Sequence, residues 1–241
     1  MTAISNALVI RGGIGGMAAA IALRRQGVAV RLIDIDPDWK VYGAGITITG
    51  PTLRAFRNLR LLDRIRDYGY FSVRQKLYLF DGTLLAGQNP PPIEPGLPAS
   101  GGIMRPDLYR IMSDAVRALD VDVRLGVSAD DLDQDGDGVS VRFSTGETAK
   151  FDLVVAADGI YSKTRSALFP DAVRPAYSGQ MSWRVVAPRP PEMTHAKFFF
   201  GHTHIGGPSL ARKPKCTASS WRSIPQRAGS RPVAKRSTCA N

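Results

Sequence analysis

Gly13, Gly15 and Gly16 follow closely on the apolar run at residues 7–10, and Asp34 stands 21 residues after Gly13 at the end of a second apolar run. This pattern suits phosphate and sugar chemistry. In a G-x-G-x-x-G turn the first glycine makes the bend, the second admits a pyrophosphate close to the backbone, and the third lets the helix pack against the strand. Gly13 and Gly16 fill the second and third roles, while Arg11 occupies the first. A helix opening at such a turn presents unpaired N–H groups and a positive dipole end to an anion. A carboxylate at the spacing of Asp34 accepts hydrogen bonds from ribose hydroxyls. The alternative is a glycine-rich turn without a ligand, with Asp34 an ordinary strand-end residue.

A second group lies far downstream in FDLVVAADGIYSKTR, where an apolar run ends at Asp158-Gly159, followed by Ser162 and Arg165. A carboxylate and a guanidinium at the carboxyl end of a strand stand where open α/β sheets bind ligands. The plainer reading is an aspartate capping the next helix.

The elements that must position these residues are legible from periodicity. Ala7 to Ile10 and Val28 to Ile33 read as strands around a helix from Gly15 to Gln26, which makes a βαβ unit stopped by Gly27. Pro51 to Tyr68 carries apolar residues at Leu53, Phe56, Leu59 and Leu61, the pattern of one amphipathic helix. KLYLFDGTLLAG predicts a hairpin turning at Asp81-Gly82, and a helix opens at Pro106. Further strands are expected at Val123 to Leu125, Val139 to Phe143 and Leu153 to Ala157. The last is apolar throughout, as a parallel strand buried on both faces would be.

Composition sets limits. The chain of 241 residues is 44% hydrophobic, enough to bury a core. No apolar run approaches the roughly 20 residues of a membrane span, and the first residues do not resemble a signal peptide, so a cytoplasmic location is expected. The net charge of +11 is uneven: residues 205–241 hold eight Lys or Arg and no Asp or Glu, leaving +3 for the rest. A near-neutral body has no special claim on polyanions, and a basic Ser- and Pro-rich run reads as a disordered tail. Nucleic-acid binding through that tail, with Trp221 stacking, is the weaker reading. Cys216 and Cys239 lack metal or redox spacing. DLDQDG at residues 131–136 begins like a calcium loop but has Arg142 at the glutamate position, and His195, His202 and His204 lack supporting ligands, so no metal is expected.

Taken in order, the glycine turn with Asp34, YGAGITITGPTLRAF, IMRPDLYRIM and DLVVAADGIYSKTR resemble the flavin-dependent aromatic hydroxylases of the para-hydroxybenzoate hydroxylase type, over about Ala7 to Gly201. The resemblance implies an α/β fold: a Rossmann-like FAD-binding domain with a parallel sheet (1–71 and 101–170) and a partial antiparallel β substrate domain (72–100 and 171–204), before a tail at 205–241. It implies FAD held by Gly13, Gly15, Gly16 and Asp34, with Gly45 and Ile46 beside the flavin and Arg105 in contact with it. Asp158 and Gly159 match a motif touching both FAD and the nicotinamide donor. The implied reaction uses NAD(P)H to reduce FAD and transfers one oxygen atom of O2 to a small aromatic substrate, without a catalytic triad. Oligomeric state is left open. An NAD(P)-binding Rossmann oxidoreductase is the rival enzyme reading.

Three departures stand against that pattern. Arg11 replaces the glycine of the tight turn, and Arg60 stands where relatives commonly have glycine after a helix; both place a side chain where the backbone is expected to be left-handed. Family members also run on to a Gly-Asp segment that this chain lacks, and the composition changes abruptly after FFFGHTH. These features lead us to expect a truncated or frame-shifted protein with impaired activity.

Overall fold

The computed structural model describes residues 4–71, 74–210 and 215–223. The chain opens with β1 (Asn6–Ile10), α1 (Ile14–Arg25), β2 (Ala29–Asp34), β3 (Gly45–Thr49), α2 (Gly50–Asn58) and α3 (Leu62–Tyr68). There follow β4 (Tyr70–Phe71), β5 (Gln75–Leu79), β6 (Leu84–Gln88), β7 (Ser100–Met104) and α4 (Arg105–Ala118). Next come β8 (Asp122–Leu125), β9 (Ala129–Asp135), β10 (Gly138–Phe143), β11 (Thr148–Phe151), β12 (Leu153–Ala156) and α5 (Lys163–Leu168). The last described strands are β13 (Gln180–Pro188), β14 (Ala196–Phe200), β15 (His204–Leu210) and β16 (Lys215–Ser223).

The parallel sheet has the order β12-β1-β2-β8. Alternation along β1 explains its apolar run: Ala7 and Val9 join the core formed with Met17, Ile21, Ile111 and Met112, whereas Leu8 and Ile10 pack with Val141, Phe143 and Phe151. Helices α1 and α4 thus cover one face, and the antiparallel sheet β11-β10-β9 covers the other. Burial of Leu8 and Ile21 contributes roughly 1.5–3 kcal/mol each and fixes the carboxyl ends of β1 and β2 side by side.

Two expectations about these elements need correction. β12 is parallel to β1 but lies at the edge of its sheet, so Leu153, Val154 and Val155 are only half-buried and Ala156 is exposed. Pro51 to Tyr68 forms two helices instead of one, because the chain turns at Arg60 with φ +52° so that Leu61, Leu62 and Ile65 reach the core beside Leu53 and Phe56. Arg60 is exposed and its N–H donates to the Arg57 carbonyl at 2.9 Å. Relief of its left-handed strain outweighs the extra chain entropy of glycine, so Arg60→Gly is expected to stabilise the fold by about 0.5–1 kcal/mol, read as a higher melting temperature.

Strands of the second half build a six-stranded sheet, β13-β16-β15-β14-β5-β6. The β5–β6 hairpin turns at Asp81-Gly82, with Gly82 at φ +92°. The expected disorder from residue 205 does not hold where residues are described. β16 pairs with β13 from Gln180↔Ser223 to Pro188↔Lys215 and with β15 from His204↔Arg222 to Leu210↔Cys216. Charge imbalance suggested a tail, but pairing on both sides satisfies the backbone of β16 whatever the net charge of its side chains. Residues 224–241, the rest of the expected tail, lie outside the described residues. DLDQDG runs from β9 into the turn before β10, with Gln134 opposite Val139, and so adopts a hairpin geometry. A small sheet, β3-β7-β4, stands against the six-stranded one through contacts of β15 with β3 and β7.

Candidate functional site

The first crossover is built around a left-handed residue. Arg11 has φ +83°, and its N–H donates to the Ile33 carbonyl at 2.8 Å, so the chain leaves β1 while still tied to β2. The Gly12 N–H then donates to Asp34 Oδ2 at 2.7 Å, and the Asp36 N–H donates to Asp34 Oδ1 at 2.9 Å. Arg11 Nη1 stands 3.6 Å from Asp34 Oδ1. Asp34, 8% exposed, is therefore held in place by the turn it faces.

The glycines divide by what surrounds them. A Cβ on Gly16 would lie 1.9 Å from the Arg11 carbonyl oxygen and 3.3 Å from the Ala157 Cβ, so its bareness permits the close approach of α1 to the strands. Gly13 and Gly15 would meet nothing within 4 Å. Gly13 caps α1 without a side-chain acceptor, and the first turn carries no acidic residue. The opening N–H groups of a helix of 12 residues are thus free of a competing carboxylate at an open surface.

Two residues not singled out from the sequence support this turn. The Gly12 carbonyl accepts from Trp39 Nε1–H at 2.9 Å and from the Tyr109 hydroxyl at 2.8 Å. Their rings meet edge to face at 6.2 Å, with the Arg117 guanidinium over Trp39. A Cβ on Gly12 would collide with the indole at 2.2 Å. Trp39 is buried at φ +47°. Burial, with the negative charges of Asp34 and Asp36, raises the Tyr109 phenol above its ordinary pKa and keeps it a donor. The one available signal was a tryptophan in a polar DPDWK stretch.

A cleft of about 500 Å³ opens at these strand ends, lined by Arg11, Ile35, Asp130, Asp158, Tyr161 and Lys163 among others. Asp158 Oδ1 accepts from the Ser162 hydroxyl at 2.6 Å and Oδ2 from the Thr164 N–H at 3.1 Å, while Ser162 Oγ caps α5 through the Arg165 N–H at 2.8 Å. Burial opposes ionisation of Asp158, but the Ser162 and Thr164 donors prevail and hold its carboxyl below the ordinary range. Arg165 turns back to the Ile160 carbonyl at 2.6 Å, and Gly159 is left-handed at φ +81°. The helix-supporting role is therefore visible, and the same residue faces the cleft beside Arg11.

Gly45, Ile46 and Arg105 form a separate group. Gly45 and Ile46 pair with Met104 and Ile103, and Arg105 follows at once, its N–H donating to the Ala44 carbonyl at 3.3 Å and its side chain exposed. Facing them, Arg184 Nη1 donates to the Gly45 carbonyl at 3.3 Å, and a Cβ on Gly45 would lie 2.8 Å from Thr217 Cγ2. A pocket of about 240 Å³ lies between Gly45, Ile46, Thr47, Arg184, Ser209 and Thr217. Arg184 and Thr217 were not legible as site residues, and Thr217 belongs to the segment expected to be disordered. Among the described residues, no group of His, Cys, Asp and Glu is arranged to hold a metal, and no helix is long and apolar enough to cross a membrane.

The model of the FAD binding domain family matches residues 5–228, past the point where resemblance was expected to stop. The FAD-dependent monooxygenase OpS4 of Beauveria bassiana is 33% identical over 184 residues, 74% of this chain and 43% of that protein. The FAD-dependent urate hydroxylase of Klebsiella oxytoca is 31% identical over 184 residues, 74% of this chain and 46% of that protein. Among solved structures, Klebsiella pneumoniae HpxO complexed with FAD and uric acid superposes with a TM-score of 0.81 at 24% identity, covering 94% of this chain and 58% of that one. The tetrameric form of 2-methyl-3-hydroxypyridine-5-carboxylic acid oxygenase gives 0.74 at 23% identity, covering 91% and 59%. The chain thus spans about half the length of these relatives.

Proposed function

This chain belongs to the FAD binding domain family, and we propose that it carries the nucleotide-binding unit and part of the substrate face of a cytoplasmic, NAD(P)H-dependent ring monooxygenase. The observation that carries this reading is the open, acid-free start of α1 beside Asp34, with Gly16 pressed against the turn. The division into an FAD-binding domain (1–71 and 101–170) and a substrate domain drawing on 72–100 and the chain after 171 is part of the same reading. The six-stranded sheet, built from strands within residues 75–88, 180–210 and 215–223, supports it.

The cradle fits a dinucleotide. Within the first turn of α1, the N–H groups of Gly15 and Gly16 would donate to a pyrophosphate that Gly13 leaves room for, and Asp34 would accept from the adenosine ribose. Gly45 and Ile46 line the flavin ring, Arg105 adds positive charge, and Asp158 with Gly159 closes the cleft. Arg184 and Thr217, across from Gly45, orient a small aromatic substrate in a pocket shielded by the six-stranded sheet. When bound, FAD supplies the electron transfer from NAD(P)H and the activation of O2; the protein supplies position, exclusion of water and hydrogen bonds. That OpS4 and the urate hydroxylases are FAD-dependent enzymes supports this assignment.

Titration of the purified protein with FAD tests it. Saturable quenching of flavin fluorescence and a yellow protein after gel filtration are the expected results. No heat with either FAD or ADP in calorimetry, from protein shown to be folded, would overturn the reading.

A further inference from the structure

We propose that Arg11 determines nucleotide affinity by acting as a latch: its guanidinium engages Asp34 and has to leave before a ribose hydroxyl can take that position. The inference rests on the reading of this crossover as an FAD site and deepens it.

The backbone of Arg11 is fixed from two sides. Its N–H is tied to Ile33, and its carbonyl is the group against which Gly16 packs, so φ +83° is imposed by strand and helix together. Glycine enters that region at little cost, whereas any L side chain is strained there. The side chain that stands at this position bends towards the neighbouring carboxylate. Asp34 is 11% exposed at its side chain and Arg11 33%, so the pair is partly withdrawn from water. Partial withdrawal makes the contact firmer than a freely solvated pair.

Asp34 has little acceptor capacity to spare. An ionised carboxylate offers about four lone-pair directions. The Gly12 and Asp36 N–H groups each take one, and Arg11 stands beside the same oxygen that Asp36 uses. A ribose diol approaching from the cleft that Arg11 lines therefore competes with the guanidinium and leaves the backbone donors in place. Lys163 lines that cleft too, so displacement of Arg11 does not leave the region without positive charge.

The test compares wild type, Arg11→Ala and Arg11→Gly by calorimetry with FAD, ADP and adenosine. Arg11→Ala removes the ion pair but keeps a strained side-chain position; Arg11→Gly removes both, so one variant folds even if the other suffers. The latch predicts that both variants bind all three ligands about fivefold tighter than wild type. The gain with adenosine, which has no phosphate, locates the effect at the ribose, and it narrows in high salt because screening loosens the pair. Weaker binding by the variants would make Arg11 a phosphate ligand and overturn the latch, as would unchanged affinities. Absence of binding in all three proteins would remove the nucleotide reading and the latch with it.

Discussion

Gly16→Ala is expected to lower stability by roughly 2–4 kcal/mol, a fall of several degrees or more in melting temperature. The added Cβ would stand 1.9 Å from the Arg11 carbonyl oxygen, a backbone atom held by the turn and unable to rotate away. Relief requires α1 to lift from β1 and β12, loosening Met17, Ala20 and Ile21 in the main core. Its neighbours are the controls. Gly15→Ala meets nothing within 4 Å, and in the first turn of α1 it should be neutral or stabilising. Gly13→Ala also meets nothing, so its melting temperature should hold while FAD affinity drops, because the new methyl fills the approach of the pyrophosphate. Equal stability of the Gly16 and Gly15 variants would show that helix and strand are not in the contact described.

Asp34→Ala is expected to weaken FAD binding by about 1–3 kcal/mol, the range for a hydrogen bond to a charged acceptor. The same change orphans the Gly12 and Asp36 N–H groups and the Arg11 guanidinium, so some loss of stability accompanies it. Fluorescence titration well below the melting temperature separates the two effects, and Asp34→Asn, which is isosteric, provides a folded comparison. Unaltered FAD affinity in both variants would deny Asp34 the ribose role and leave it as a brace for the turn.

These two residues show how far the amino-acid order carries. Gly13, Gly16 and Asp34 could be proposed as one group from spacing because the βαβ unit is local: its strands, helix and turn lie within residues 6–34. The left-handed backbone at Arg11 and Arg60 was foreseeable too, since a position that relatives fill with glycine is often one where a Cβ is unwelcome. The destination of the Arg11 side chain was not, because strand register decides which carboxylate it meets. Trp39 and Tyr109 converge on the Gly12 carbonyl from positions 27 and 97 residues away, and no periodicity encodes that meeting.

The second half of the chain was harder for the same reason. β16 is a strand because β13 and β15 flank it; in isolation, a Ser-rich run with cations and no acids has no alternating pattern to declare itself. β12 illustrates the converse: an apolar run signals a strand but cannot say whether it will be central or at an edge.

Order along the chain therefore determined the elements of the first crossover, the hairpin at Asp81-Gly82, the helix opening at Pro106 and the residue types able to grip a nucleotide, all of which rest on short-range periodicity and backbone preference. The tertiary structure alone decided that Arg11 faces Asp34, that Asp158 lines the same cleft as Arg11, and that Thr217 and Arg184 close over Gly45. Those contacts join residues 23 to 172 positions apart, and at such separations it is the packing of whole elements that sets which side chains meet.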